Sequence, residues 1–337
     1  MTPGGSVRPG SVARRPPLVG SGPAVTALGG GHGLAVTLRA LRTVTDQLTA
    51  VVGMADDGGS SGRLRRELGT PPPGDLRMAL SALCGDDVWG RTWSSVVQHR
   101  FSAGQLDGHA VGNLLIAALW EQTDDIVAGL DWVAALLGAH GRVLPVCGQG
   151  LQIVAQVLDV PGQSGVSEVR GQSKVAVTEG TVLSIALDPP DPEAQPEAIQ
   201  AILEAEAIVM GPGSWYTSVL AGLLIPGIRD AVVASPATRI LVLNLVAQPG
   251  ETSGFSPQGH VHVLAEAFPD VPVDVVLADP AHVPDEQALR AACGEVGAEL
   301  VLRPVSDARA GEGHHDPLLL GRAFAELIGH GSIPSWR

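Results

Sequence analysis

The stretch Leu28-Gly29-Gly30-Gly31-His32-Gly33 follows the run Ala24-Val25-Thr26-Ala27 and opens an amphipathic segment over residues 34–41. Strand, glycine turn and helix in that order make a phosphate cradle. Glycines without Cβ atoms let backbone N–H groups close on an anionic oxygen, and the positive end of the helix dipole adds attraction. Gly29 and Gly31 keep two positions of the dinucleotide fingerprint, but Leu34 stands where its third glycine belongs. Alone, the loop fits either a nucleotide-like anion or a tight turn that binds nothing.

A second strand pattern over 48–54 completes a βαβ unit. A right-handed crossover makes its strands parallel and brings their carboxyl ends to one edge. The loop Ala55-Asp56-Asp57-Gly58-Gly59-Ser60-Ser61-Gly62 then falls beside the first glycine loop. A short helix over 64–68 stops at Pro71-Pro72-Pro73-Gly74, after which Asp75 is expected to cap a helix reaching residue 83. From 89 to 137 the pattern reads as helical throughout, and we take 85–140 as a helical insert. Residues 142–187 switch to short Val- and Ile-rich runs between glycines, an antiparallel β subdomain or an edge of the main sheet.

The runs at 207–210 and 240–243 are almost wholly apolar, as parallel strands covered on both faces must be. Gly211-Pro212-Gly213-Ser214 follows the first, and Asn244 with Gln248-Pro249-Gly250-Glu251-Thr252 follows the second. Further strands over 273–277 and 300–302 and a closing helix over 316–328 complete one α/β domain spanning 23–330. Residues 1–22 read as a disordered tail.

The chain has 337 residues, 45% of them hydrophobic, with mean hydropathy +0.22, so a sizeable core is available. Aromatics make up only 3%, which leaves the core to small aliphatic side chains. No apolar run reaches the ~18–20 residues of a membrane span. A net charge of −14 opposes nonspecific attraction to nucleic acid. Lys174 is the one lysine, so a cationic clamp must be arginine, and Arg63, Arg65, Arg66 and Arg77 lie nearest the glycine loops. Cys84, Cys147 and Cys293 are odd in number and widely spaced, which suits a reducing cytoplasm better than a disulfide framework. No secretory signal pattern is present.

Open α/β sheets bind ligands at the carboxyl ends of their strands, where the order of winding reverses. Four loops rich in glycine, serine, threonine and aspartate fall there, more than chain reversal requires. Gly29, Gly30, Gly31, His32 and Gly33 form one cradle, and Gly211, Gly213 and Ser214 another, which together fit a diphosphate. Asp56 and Asp57 are placed to grip ribose hydroxyls or to hold Mg²⁺, though an Asp-rich turn has the same composition. Gly58, Gly59, Ser60, Ser61, Arg63, Gly74, Asp75 and Arg77 extend the site, with Asn244, Gln248 and Thr252 on its far side. Asn113 offers a donor and an acceptor to a base or sugar, or else is a satisfied core asparagine. His260 and His262 more readily begin a helix than bind a metal. No Gly-x-Ser-x-Gly elbow supports a nucleophilic serine.

Seven motifs, collinear over about residues 24–328, resemble the YvcK family of gluconeogenesis factors. They are Gly-Gly-Gly-His-Gly at 29–33, Ala-Asp-Asp-Gly-Gly-Ser-Ser-Gly-Arg-Leu-Arg at 55–65, Pro-Pro-Pro-Gly-Asp-Leu-Arg at 71–77, Gly-Asn-Leu-Leu at 112–115, Gly-Pro-Gly-Ser-Trp-Tyr-Thr-Ser at 211–218, Gln-Pro-Gly-Glu-Thr at 248–252 and His-Asp-Pro at 315–317. The resemblance implies a Rossmann-like, doubly wound, mainly parallel sheet similar to that of the 2-phospho-L-lactate transferase CofD. It further implies a cytoplasmic bacterial protein that binds UDP-sugars, notably UDP-N-acetylglucosamine, and influences cell shape and cell-wall precursor supply during gluconeogenic growth. This chain departs from the family at His314, where an arginine often stands, and at Pro317, where some members carry a phosphorylatable threonine.

Three functions compete. The first is a UDP-sugar-binding regulator with no obligatory cofactor, acting through a protein partner and assembling as a homo-oligomer. The second is a CofD-like transferase of a phospholactyl-type group, with Mg²⁺ on Asp56 and Asp57. The third, an NAD-dependent oxidoreductase, is weakened by the missing fingerprint glycine.

Overall fold

The computed structural model describes residues 22–307, 309 and 313–328. The expected tail falls almost wholly outside this range, as do residues 329–330 of the expected domain. From the amino terminus run β1 (Val25–Gly29), α1 (Gly31–Leu41), β2 (Leu48–Val52), α2 (Gly59–Leu68), α3 (Gly74–Ala82), α4 (Val88–Gln98), α5 (Val111–Thr123), α6 (Ile126–Leu137) and β3 (Arg142–Pro145). Next come β4 (Gln152–Leu158), β5 (Val166–Arg170), the single turn α7 (Gln172–Val175), β6 (Thr181–Asp188) and α8 (Pro196–Leu203). β7 (Ala207–Met210) leads into a π-helical turn over Trp215–Leu220, then α9 (Ala221–Leu223), α10 (Pro226–Ala234) and β8 (Thr238–Val242). α11 (Pro257–Ala267), β9 (Val275–Ala278), α12 (Glu286–Glu295), β10 (Glu299–Leu302) and α13 (Pro317–Ile328) complete the order.

Seven strands form one sheet in the order β10-β9-β8-β7-β1-β2-β3, and every pair in it is parallel. Winding goes one way from β1 through β2 to β3 and the other way from β7 to β10, so the order reverses between β1 and β7. With right-handed crossovers, that reversal puts helices on both faces. α1 packs against α3 and α13, and α8 packs against α10. Every residue of β1, β7 and β9 is buried, which is why these strands carry almost no polar side chains. α1 buries Leu34, Ala35, Leu38 and Leu41, one stripe at helical spacing. The expected doubly wound α/β fold is the observed one.

The Val- and Ile-rich segment divides in two. β3 closes one edge of the main sheet, while β5-β4-β6 form a separate antiparallel sheet. The helical reading of 89–137 needs correction between α4 and α5. There Arg100 and Ala110 form an antiparallel bridge, and the Phe101 amide donates to the His109 carbonyl at 3.1 Å. Gly104 and Gly108, at φ +69° and +76°, turn the chain back where a helix would have continued. α3 also starts two residues earlier than an Asp75 cap would require, so Asp75 sits inside its first turn and does not cap it. The three cysteines are buried and unpaired. Among the described residues no single helix is long and apolar enough to cross a membrane.

The loops that follow β1 and β7 touch through a glycine. A Cβ on Gly33 would lie 2.0 Å from the Pro212 carbonyl oxygen, so the loops after β1 and β7 close on each other only because that atom is missing. Gly33→Ala should therefore lower stability by about 1–3 kcal/mol through overpacking. Gly222→Ala, whose Cβ would meet nothing within 4 Å, should be neutral or stabilising. Urea unfolding of the two variants beside the parent checks this pair of expectations.

Candidate functional site

At the reversal point, beyond the carboxyl ends of β1, β2 and β7, lies a cavity of about 410 Å³. Its walls include the first turns of three helices: Gly31, His32 and Gly33 of α1, Gly59, Ser60 and Ser61 of α2, and Gly74 and Asp75 of α3. None of these helices has a side-chain cap, and α1 and α2 carry no acidic residue in their first turns. The first amides of a helix have no partner within it and carry partial positive charge. Three such ends face one space, which they share with the carboxylates of Asp56 and Asp75.

Two arginines line the same space. Arg77, only 4% exposed, donates from Nε to Asn113 Oδ1 at 2.9 Å and from Nη1 to Gln98 Oε1. Burial and the nearby Arg100 lower its pKa to about 10, so it stays charged at neutral pH. Arg100 lines the cavity from the irregular segment between α4 and α5. Asn113 is buried, its Oδ1 accepts from Arg77, and it borders the cavity. Ser60 Oγ lies 3.0 Å from Nδ1 of the buried His109. Gly30 and Gly58 complete this side.

The carboxylates are arranged differently from the expectation. Asp56 borders the cavity, and its Oδ1 accepts from the Gly58 amide at 3.0 Å. Asp57 does not border it, because Oδ1 accepts from the Ser173 amide at 2.8 Å and so pins the small sheet to the main one. The acid that joins Asp56 is Asp75. Burial, then the charge of Asp56, pushes its pKa up to about 7, against the opposing pull of the Gly31 amide and Arg77. Of the expected pair only Asp56 borders the cavity, where Asp75 joins it, and among the described residues no group of three or more His, Cys, Asp or Glu side chains that could hold a metal is found.

The second glycine loop is not the free cradle its composition suggested. The Gly213 amide donates to Asn244 Oδ1 at 3.0 Å, and the Trp215 amide to Gln248 Oε1 at 3.1 Å. Buried Glu251 takes the Tyr216 and Thr217 amides on Oε2 at 2.8 and 3.1 Å, and the Thr217 hydroxyl on Oε1 at 2.6 Å. Gly213, Ser214, Ser218 and Gln248 still border the cavity, supplying polar surface more than open amides.

Several expected residues serve as supports. Gly29 ends β1, its carbonyl accepting from Gly53 at 3.0 Å, and Gly211 packs behind the site with its Cβ position 2.8 Å from the Val242 carbonyl. Asn244 grips Gly213 from behind, and fully buried Thr252 accepts the Gln248 amide at 2.8 Å. Arg63 turns away to the carbonyls of Asp107 and Gln105, at 2.5 and 3.2 Å, and Arg65 binds the Leu151 carbonyl at 2.9 Å. Arg66 does not border the cavity either. The His-Asp-Pro segment lies elsewhere: the His315 ring donates to the Leu243 carbonyl, and Asp316 Oδ1 accepts the Leu318 amide at 2.7 Å. His260 belongs to α11 and packs edge-on against Trp215. Sequence reasoning missed Met78, Arg100, Gln172 and Ser218. Ser218 closes the quoted stretch 211–218 and Met78 lies in the helix expected to reach residue 83, whereas Arg100 and Gln172 reach the cavity only through tertiary folding.

The profile described as 2-phospho-L-lactate transferase CofD matches residues 25–301, which include all three helix ends at the cavity. The chain belongs to the CofD family. Among this family member's relatives, a Mycobacterium leprae protein named "Putative gluconeogenesis factor" is 49% identical over 310 residues, covering 90% of this chain and 86% of its own. The Bacillus subtilis gluconeogenesis factor is 38% identical over 269 residues, covering 80% and 82%. A crystal structure of a UPF0052 family member from Bacillus halodurans superposes with a TM-score of 0.80 at 33% identity, covering 90% of this chain and 98% of that one. The resemblance read from seven motifs is therefore borne out: this CofD-family chain belongs with the gluconeogenesis factors.

Asp75 provides a test of the site's electrostatics in the unliganded protein. Its carboxyl titrates near 3.9 when unfolded and at about 7 when folded, so between those values the folded state binds more protons. Its contribution to stability must then fall as pH rises from about 4 through 7 and level off above. Asp75→Asn should remove this slope, its Tm gaining on the parent by a few degrees between pH 5 and pH 8. Thermal unfolding across that range measures the difference.

Proposed function

We propose that the cavity binds a nucleoside diphosphate sugar, UDP-N-acetylglucosamine, and that binding makes this protein a regulator linking gluconeogenic growth to cell-wall precursor supply and cell shape. The observation that carries the reading is the convergence of the first turns of α1, α2 and α3 on one space. A pyrophosphate has the charge and the several acceptor oxygens that such a ring of amides, with Arg77 and Arg100 beside it, is suited to hold. Asn113, Gln172 and Gln248 border the same space and offer both donors and acceptors to sugar and base. The gluconeogenesis factors among the relatives support the physiological setting. Three buried thiols agree with a reducing cytoplasm, and a regulatory protein partner belongs to the same proposal.

One observation favours a second reading, the transfer chemistry for which the family is described. Asp75, at about 7, faces the cavity with Asp56. Those two carboxylates would hold Mg²⁺, which when bound supplies charge neutralisation to a leaving phosphate. The role of the chain's own residues is to position the pyrophosphate on the helix ends and keep Arg77 against it.

Calorimetry separates these readings. UDP-N-acetylglucosamine should bind, and at ~100 times its Kd should add about 2.7 kcal/mol of stability. Heat with GTP or NAD but none with UDP-N-acetylglucosamine would overturn the first reading. Magnesium-dependent transfer of a phospholactyl-type group to a deazaflavin acceptor, lost in Asp56→Asn with nucleotide binding retained, would establish the second.

A further inference from the structure

Beside the nucleotide cavity lies a larger hollow of about 820 Å³ between α1, α3 and α4. The two share His32, Arg77, Met78 and Arg100 as a common wall. To these the hollow adds Arg39, Arg42 and Arg91, so five of the chain's 21 basic residues face one concavity in a protein of net charge −14.

Internal ion pairing does not account for this charge. One carboxylate, Asp86, borders the hollow, and it pairs with Arg42 at 2.5 Å. Arg91 donates to the Asp86 backbone carbonyl and Arg42 also to that of Cys84, contacts that orient the guanidinium groups without neutralising them. Arg39 is exposed and has no hydrogen-bond or ion-pair partner for its side chain among the described residues, although acidic residues outnumber basic ones 35 to 21 in this chain. Solvated arginines on a convex helix face need no explanation. Five around a hollow repel one another, and although Asp86 pairs with Arg42 and the carboxylates of Asp75 and Asp56 act on the buried Arg77, the concavity keeps a field that favours an anion.

We propose that this hollow is a second ligand site, taking a small phosphorylated metabolite that carries at least two negative charges. Guanidinium forks match phosphate and carboxylate oxygens two at a time, which a neutral sugar cannot exploit. The metabolite is a molecule separate from the nucleotide sugar, because Arg39, Arg42 and Arg91 lie outside the nucleotide cavity. Arg77 and Arg100 serve both spaces, so each ligand changes the affinity for the other. The site thus gives the protein a second input, read jointly with the first.

The probe is 3-phosphoglycerate, titrated calorimetrically into the full chain at low ionic strength without any nucleotide, with glycerol as the neutral control. The parent should bind the probe and not glycerol, with affinity falling as salt is raised. Arg39→Ala/Arg91→Ala, which touches only exposed side chains, should weaken the probe at least tenfold and leave UDP-N-acetylglucosamine affinity within twofold. Saturating nucleotide sugar should shift the probe's Kd at least threefold. Absence of probe binding in the parent, or equal affinity in the double variant, would sink the proposal. Simple competition between probe and nucleotide sugar, with both weakened by the double variant, would show one extended ligand and would also overturn it. Because the probe is measured alone, failure of UDP-N-acetylglucosamine to bind leaves this result readable.

Discussion

Helix amino termini ordinarily satisfy their free amides with a serine, threonine or aspartate cap, and α1, α2 and α3 all lack one. Their first turns face each other across about 410 Å³, an arrangement in which partial positive charges oppose one another. Part of the cost is offset from within, since the Asp75 carboxyl accepts the Gly31 amide and shares the cavity with Asp56. Fold, glycine content and arginine placement all follow from holding these three ends together.

The close approach is steric before it is electrostatic. Added Cβ atoms would come within 2.0 Å of Pro212 at Gly33, 2.5 Å of Asp75 at Gly30 and 2.1 Å of Asp56 at Gly74. Each glycine lets a loop from a different strand enter the same small space. Behind them a polar scaffold fixes the far wall: Asn244 clamps Gly213 on both its amide and its carbonyl, and Glu251 closes the start of the π-helical turn. The Gln-Pro-Gly-Glu-Thr stretch therefore acts mainly by holding the Gly211–Ser214 loop in place, with Gln248 alone among its residues reaching the cavity.

Net charge conceals local charge. The chain is acidic as a whole, yet Arg77 and Arg100 stand between two hollows, one also lined by Asp56 and Asp75 and the other by Arg39, Arg42 and Arg91. Surface acidity screens against nonspecific polyanions, while the concave arginines keep a field that small anions can enter.

The alternation of apolar runs with glycine loops made the parallel α/β sheet legible, because a strand buried on both faces has no room for polar side chains and a crossover helix shows its own period. The loops at 29–33 and 55–62 were legible for the same local reason: glycine and small polar residues directly after a strand have few other uses. The sequence by itself thus determined which strand ends carry the site. It did not determine which side chains turn inward, since Asp56 and Asp57 are equivalent in composition and only the approach of Ser173, 116 residues away, takes Asp57 out of the cavity. Arg100 and Gln172 were hidden likewise, and Thr252 was over-read, because long-range contacts decide which side chains face the cavity and which are spent on packing. Local spacing fixes where a backbone turns; tertiary structure decides which charge is left facing the space that the turns enclose.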